Sequence, residues 1–420
     1  MSYTPPAGRQ VIYDRGGVLS TINALLKDEY VLNDIQNVVN NATYMLSQIT
    51  SKKTTHGRQF IFPIQFGTSQ GVGARGENII LPDPGFGEYA QAVGQVKYLY
   101  STMFITGQSI AATRGNRSAF ADALKTALRD ARDGLMQDLQ RQVWGDGTGA
   151  IGKVGTGGAT ASTTIPVTDP YGLSYIQADL DNREKVKLFR RNMNIFISGS
   201  NVYARVTAVN ANGTITVASA VTVAAGDIIY RGDATGRTSV NNEITGISGL
   251  LQATGTYLGL ARAGFPEWQA NLMQMGSGSG AAVTENAMRI ALDTAEQNGT
   301  NGPDLIVTSY KIRRKYESLL QAQRRFTSPM QLTGGFTALE FDGMPLVVDK
   351  DVPPQRMYFL RMADIHWMIM EDIQWMDDDG NILTRELNKD AYKAVLYTYR
   401  DLITTRPANQ SVLFDLIDEV

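Results

Sequence analysis

The chain has no cysteine and only two histidines in 420 residues. Without cysteine there are no disulfides, thiolate zinc sites or cysteine nucleophiles. The histidines, His56 and His366, lie far apart in sequence. His366 sits within Ile365-His366-Trp367-Met368, the setting of a core or interface residue. Long hydrophobic runs are missing too: no window approaches the roughly 18 consecutive apolar residues of a membrane span. The first residues, Met-Ser-Tyr-Thr-Pro-Pro, lack the basic then apolar pattern of a signal peptide. The sequence therefore reads as made and used in a cytosol, with no membrane partner. Charged residues make up 19% of the chain, below the roughly 25% usual for soluble domains. That scarcity fits either compositional drift or a surface largely covered by neighbours. A basic excess is also absent, with 39 basic against 41 acidic residues and a net charge of -2. That balance argues against tight sequence-specific binding of duplex DNA, and weak contact with nucleic acid stays open.

What is present is an ordered pair of segments in the first third. A stretch laced with glycine and proline, Gly57 to about Gly107, alternates apolar and polar residues and leads into an amphipathic helix, Ser118 to Trp144. The stretch has too many glycines and prolines to form a compact core alone, which points to completion by a partner. Before it, Val31, Ile35, Val38, Ala42, Met45 and Ile49 recur at helical spacing and predict an arm carrying one docking helix. Within it, Phe60 to Phe66 predicts a strand with Pro63 at an edge or bulge. Gly71 to Gly76 predicts a turn, Asn78 to Leu81 a second β run, and Gln95 to Ile105 a third, together a long two-stranded loop projecting from the body. In the helix Phe120, Leu124, Leu128, Ala131, Leu135, Leu139 and Val143 form the apolar stripe, with Ser118 as N-cap and Gly145 as stop. Its other face carries Asp122, Lys125, Arg129, Asp130, Arg132, Asp133, Asp138 and Arg141, a solvated face or an intersubunit one.

Gly152 to Thr163 reads as a small-residue linker. A compact β unit follows, with a hairpin signal at Asn210-Ala211-Asn212-Gly213. From Thr284 the pattern is helix to Asn298, strand Asp304 to Thr308, and helix Ser309 to Gln323. A hairpin at Asp342-Gly343 leads into a β-rich end with strands at Met357 to Leu360, Trp367 to Met370 and Ala391 to Thr405.

Several stretches match functional motifs by letters and fail on context. Gly147-x-x-x-x-Gly152-Lys153 has Val154 where a phosphate loop needs a hydroxyl, and it follows a helix instead of a strand. Gly71/Gly73/Gly76 and Gly147/Gly149/Gly152 lack the strand–turn–helix setting of a dinucleotide site. Asp377-x-Asp379-Gly380 would place Trp375 at the first ligand position of a calcium loop. Arg231-Gly232-Asp233 reads as a turn. No serine stands in a nucleophile elbow, and no carboxylates cluster at a catalytic spacing. The residues thus point to no catalytic, cofactor or metal site.

The order of parts resembles the major capsid proteins of tailed double-stranded DNA bacteriophages, with their Hong Kong 97-type fold. The resemblance covers nearly the whole chain. It is carried by the helix exit Trp144-Gly145-Asp146-Gly147-Thr148-Gly149, the strand Pro303 to Ser309 entering a helix, and the hairpin Phe341-Asp342-Gly343-Met344-Pro345-Leu346. It implies an α+β fold with an N-terminal arm (1–56), an extended loop (57–107) and a peripheral domain (108–163, returning at 343–420) around a spine helix. It also implies an axial domain (164–342) with an inserted β unit at about 193–230. Implied assembly-interface residues are Phe60, Phe62, Arg75 and Glu77 on the loop, and Arg129, Arg132 and Asp133 on the helix. Implied partners are further copies as pentamers and hexamers in an icosahedral shell, a portal protein, a scaffolding protein, decoration proteins on some members, and packaged double-stranded DNA in weak non-specific contact. The setting is a virion capsid assembled in the host bacterial cytoplasm. Some members cross-link a loop lysine to a neighbour's asparagine, but no lysine lies between Lys53 and Lys97 here, so no covalent chain-mail is expected. Met1 stands close to the arm, so any scaffolding protein is expected to be separate. An encapsulin-type compartment shares this fold, and an unrecognised β-rich enzyme is the alternative from another class.

Overall fold

The computed structural model describes residues 44–417 except for 50–51, 55–56, 58, 70, 113–116, 233–234, 236–237, 323–329, 332–336, 378–381 and 388. Of the helix expected over Val31 to Ile49, only the end is described, as α1 (Tyr44–Gln48). The rest of it, His56 and the Asp379-Gly380 turn lie outside the described residues. The chain divides into two compact units; the larger comprises Tyr44–Lys97, Gln140–Met370 and Arg400–Val420.

The larger unit begins with β1 (Lys52–Thr54), followed by β2 (Gln59–Gly67) and β3 (Glu88–Gln95). β2 and β3 form an antiparallel ribbon with Phe60 opposite Gly94 and Pro63 opposite Gln91. The β run expected at Asn78 to Leu81 is not a strand. Ile79, Ile80 and Leu81 are 61%, 86% and 77% exposed and pair with nothing regular. The two prolines that follow lack N–H donors, so ladder pairing resumes only at Glu88.

β4 (Lys97–Thr106) precedes α2 (Arg117–Trp144), a helix of 28 residues and about 42 Å at roughly 1.5 Å per residue. The helix starts one residue before Ser118, which therefore lies inside it instead of capping it. Leu135, Leu139, Val143 and Trp144 are buried, and the Gly145 N–H donates to the Gln142 carbonyl at 3.0 Å, ending the helix as expected.

The expected linker at 152–163 is instead part of a closed six-stranded barrel. β5 (Ala150–Val154), β6 (Ala159–Thr168), β7 (Asn194–Ile197), β8 (Val202–Val209), β9 (Thr214–Val223) and β10 (Ile228–Arg231) close in the order β10-β5-β6-β9-β8-β7. Ile151, Ile165, Ile195, Ile197, Val206, Ile215 and Ile229 have no exposure and fill it. The misreading has a physical cause. The small residues at 155–158 are only the turn between β5 and β6, with Gly157 and Gly158 at φ 92° and 60°, and the threonines after them favour strand.

β11 (Thr256–Tyr257) and β12 (Leu260–Ala261) form a small ribbon. Beyond it a seven-stranded sheet has the order β13-β22-β18-β14-β17-β16-β15. Its strands are β13 (Asn271–Gln274), β14 (Leu305–Thr308), β15 (Met330–Gln331), β16 (Thr337–Phe341), β17 (Met344–Val348), β18 (Arg356–Leu360) and β22 (Ser411–Phe414). β14 is buried along its whole length, as its unbroken apolar run requires. Helices α3 (Glu285–Asn298) and α4 (Tyr310–Ala322) pack Met288, Ala291, Leu292, Ile312, Tyr316 and Leu320 against Ile306, Phe359 and Leu413. Thr284 caps α3 by accepting from the Ala287 N–H at 3.1 Å. Asp342 and Gly343, at φ 53° and 76°, supply the two left-handed residues that a tight β16–β17 hairpin needs.

The smaller unit holds Tyr98–Leu139 and Glu371–Tyr399 among its described residues. Here β4 pairs with β21 (Ala391–Thr404), which also neighbours β19 (Ile365–Trp375) and β20 (Thr384–Arg385). Met103, Ile105 and Ala394 pack with Ala127, Leu128 and Ala131 of α2, and Ser101 Oγ donates to the Ala131 carbonyl at 2.9 Å.

Candidate assembly surfaces

The β2–β3 ribbon is packed at its root and apolar and exposed at its tip. At the root, Phe60 is 4% exposed in a cluster with Met368 and Ile403, with Phe62 and Leu258 against it. Phe66 stacks on Phe265 at 4.1 Å and meets Trp268 edge-on at 6.0 Å. The Val93 N–H donates to the Leu258 carbonyl at 2.8 Å. Gly94 is required there, because the Phe60 ring fills the space a Cβ would take. At the tip, Ser69 Oγ donates to the Gly85 carbonyl at 2.8 Å and Arg75 Nε to the Ile80 carbonyl at 3.3 Å. These bonds hold the irregular 68–87 segment in shape while Val72, Ile80 and Phe86 stand 86–88% exposed. Water opposes such an apolar row on a lone chain, and patches of this kind mark interaction sites.

The sequence-predicted interface residues separate into different roles. Phe60 and Phe62 lie on the inward side of β2, so Phe60 is spent inside the chain and Ile61, 59% exposed, faces outward instead. Arg75 and Glu77 are exposed on the tip. On α2, Arg129 and Asp133 form an i,i+4 ion pair at 3.8 Å with the Arg129 side chain 72% exposed, and Arg132 is exposed. Such a pair contributes little by itself. Arg141, read as part of the same charged face, is instead buried and bound to Glu243 at 2.7 Å. What sequence reasoning missed is the exposure of Ile79 to Leu81. The signal was there, three apolar residues ahead of Pro82-Asp83-Pro84, and strand propensity obscured it.

A second exposed face lies in the smaller unit. Tyr98 and Tyr100 of β4 are 46% and 53% exposed and surround Tyr399 at ring distances of 4.9 and 6.0 Å, with Tyr397 at 5.0 Å on its other side. Tyr399 is pushed up to about 12, first by its hydrogen bond with Tyr100 and then by burial.

Buried polar groups tie the larger unit together. Asp401 accepts from the Thr245 and Leu402 N–H groups, each at 2.9 Å, yet burial outweighs these bonds and pushes it up to about 7. Burial brings Lys187 down to about 8, and its Nζ donates to the Val352 carbonyl at 2.6 Å. The Trp144-to-Gly149 exit is a packed joint: Trp144 lies against Tyr358 at 5.2 Å, Ser248 Oγ donates to the Trp144 carbonyl at 2.7 Å, and Asp146 Oδ1 accepts from the Thr148 N–H at 2.9 Å. Lys153, the would-be phosphate-loop lysine, sits on β5 and pairs with Asp169 at 3.7 Å. His366 is buried in β19. Among the described residues no three histidines or carboxylates gather as metal ligands, and no helix is long and apolar enough to cross a membrane.

No protein-family model matches the chain, and no curated protein matches it in sequence. Solved structures do match. A chain of the cyanophage A-1(L) capsid asymmetric unit aligns over 94% of this chain and 97% of its own, with 15% identity and a TM-score of 0.56. The capsid of a native GTA particle aligns over 95% and 98%, with 12% identity and a TM-score of 0.51. The fold is that of capsid subunits, the Hong Kong 97 type. The capsid of an empty GTA particle agrees, over 93% and 95%, at 12% identity and a TM-score of 0.50.

Proposed function

We propose that this chain is the major capsid protein of a tailed bacteriophage, many copies of which close into an icosahedral shell around double-stranded DNA. The observation that carries this reading is the projecting ribbon: in a chain with the capsid fold, an apolar tip up to 88% exposed has no cover of its own. A second copy supplies that cover, and symmetry repeats the contact around pentamers and hexamers. In this reading residues 1–56 are the arm, the β2–β3 ribbon with its tip is the extended loop, β4 and α2 belong to the peripheral domain, and the seven-stranded sheet with α3 and α4 belongs to the axial domain. Arg75, Glu77, Arg129, Arg132 and Asp133 belong to intersubunit contacts. A portal protein and a scaffolding protein are the partners of assembly in the host cytoplasm, decoration proteins bind outside where they exist, and the chain works without catalysis or cofactor. With no lysine between Lys53 and Lys97, the loop tip lacks a nucleophile and holds its neighbour by shape and hydrogen bonding. Mature particles boiled in detergent should therefore run as single chains, and a ladder of covalent multimers would contradict that. Electron microscopy of the expressed chain tests the shell, and the content of purified particles separates the readings: DNA supports a capsid, an enclosed enzyme an encapsulin-type compartment.

A further inference from the structure

A DNA-filled shell needs somewhere for polyanion to lie, and a near-neutral chain must concentrate its positive charge to provide it. Over residues 179–191 and 310–317 there are nine basic residues against four acidic ones, in a chain with 39 against 41. The two stretches adjoin in the larger unit: Lys311 Nζ pairs with Asp179 at 3.0 Å, and Glu184, Lys311 and Lys315 line one small cavity. The acids there are engaged. Asp181 and Glu184 form a capping box, and Glu317 lies 3.9 Å from Arg313. Arg183, Arg190, Arg191 and Arg314 are exposed.

The first stretch also has a shaped surface. After Arg191 the chain turns at Asn192 (φ 66°) and is zipped to β8, its N–H donating to the Val206 carbonyl at 2.8 Å. This leaves an open groove of about 670 Å³ walled by Arg190 and Arg191 on one side and Thr207 to Val209 on the other, with Phe189 buried beneath. Protein interfaces bury an apolar centre, and this groove presents no large exposed apolar side chain. Arginine forks and hydroxyls match phosphate oxygens instead.

Building on the capsid reading, we infer that this face, centred on Arg190 and Arg191 and extended by Arg183 and Arg314, meets the phosphate backbone of the enclosed duplex. The contact reads no bases, so it is weak, sequence-independent and salt-sensitive.

The test is fluorescence anisotropy of the full-length chain with a labelled duplex of arbitrary sequence, between about 50 and 200 mM salt. The double variant Arg190→Glu/Arg191→Glu should bind at least about tenfold more weakly at the low-salt end, and its slope of log affinity against log salt should fall by about two. Arg385→Glu/Lys389→Glu, an equal charge change on exposed residues elsewhere, should leave both unchanged. Should the glutamate pair fail to fold, Arg190→Gln/Arg191→Gln should still lower the slope. Equal binding by wild type and the Arg190/Arg191 variants overturns the inference, as does an equal loss in the control. Loss of an acidic protein partner with DNA binding intact overturns it too. Micrographs of the same samples keep the questions apart: shells with an unchanged salt slope refute only this face, and no shells in any sample refute the capsid reading.

Discussion

Replacing Ile80 and Leu81 with serine removes two side chains that are 86% and 77% exposed in the single chain. Neither contributes to a core, so the folded chain should change in stability by no more than about 0.5 kcal/mol. If a second copy covers the tip, however, each side chain is worth about 2 kcal/mol on burial. Losing both weakens every loop contact by about 4 kcal/mol, roughly a thousandfold in its association constant. The contact recurs at every subunit, so the protein concentration at which shells or rings form should rise steeply. Static light scattering across a dilution series measures that threshold, and urea unfolding of the same samples measures the chain itself. An unchanged threshold with intact folding would refute the reasoning, because the tip would then be covered by nothing that matters to assembly. A collapse in urea resistance would refute it differently, by showing that the tip is part of the chain's own core.

Other consequences follow from buried groups. Asp401 titrates at about 7 when folded and at the ordinary 3.8 when unfolded. Its contribution is complete below the unfolded value and is lost as pH rises through the folded one. Between pH 5 and 8 this group should cost about 2.5 kcal/mol, and Asp401→Asn should flatten that part of a urea-midpoint profile; an identical profile would count against it. Gly94→Ala drives a methyl group into the Phe60 ring and should destabilise by about 1–3 kcal/mol in urea, whereas a neutral result would mean that the ribbon root repacks freely. Glu243→Leu removes the carboxylate that the buried Arg141 guanidinium binds at 2.7 Å, and breaking this buried pair costs about 3–5 kcal/mol. Adding Arg141→Met should recover most of it, and no recovery would show that the pair is not the cause.

Much of this fold is legible because local signals and tertiary structure agree. The end of α2 at Gly145, the Thr284 cap of α3 and the Asp342-Gly343 hairpin are each fixed by one or two residues with a single conformational use. The barrel was only half legible. β8 and β9 flank the hairpin signal at Asn210 to Gly213, but β5 and β6 carry small residues whose strand character comes from partners up to 80 residues away, such as Tyr230 opposite Ala150. Burial of Phe60 was hidden for the same reason, since its ring is covered by Met368 and Ile403, some three hundred residues on. Exposure of Ile79 to Leu81 is a negative property, the lack of a partner strand, which no local pattern encodes. The basic face escaped notice because its two halves stand over a hundred residues apart and look ordinary against a balanced total charge.

The central claim is that this chain completes itself only with further copies, and cryo-electron microscopy of the full-length protein tests it most directly. The account predicts closed shells or rings of five or six subunits in which Val72, Ile80, Leu81 and Phe86 are buried against a neighbouring copy. Particles confined to monomers or small oligomers at high concentration, with that tip still bare, would contradict it.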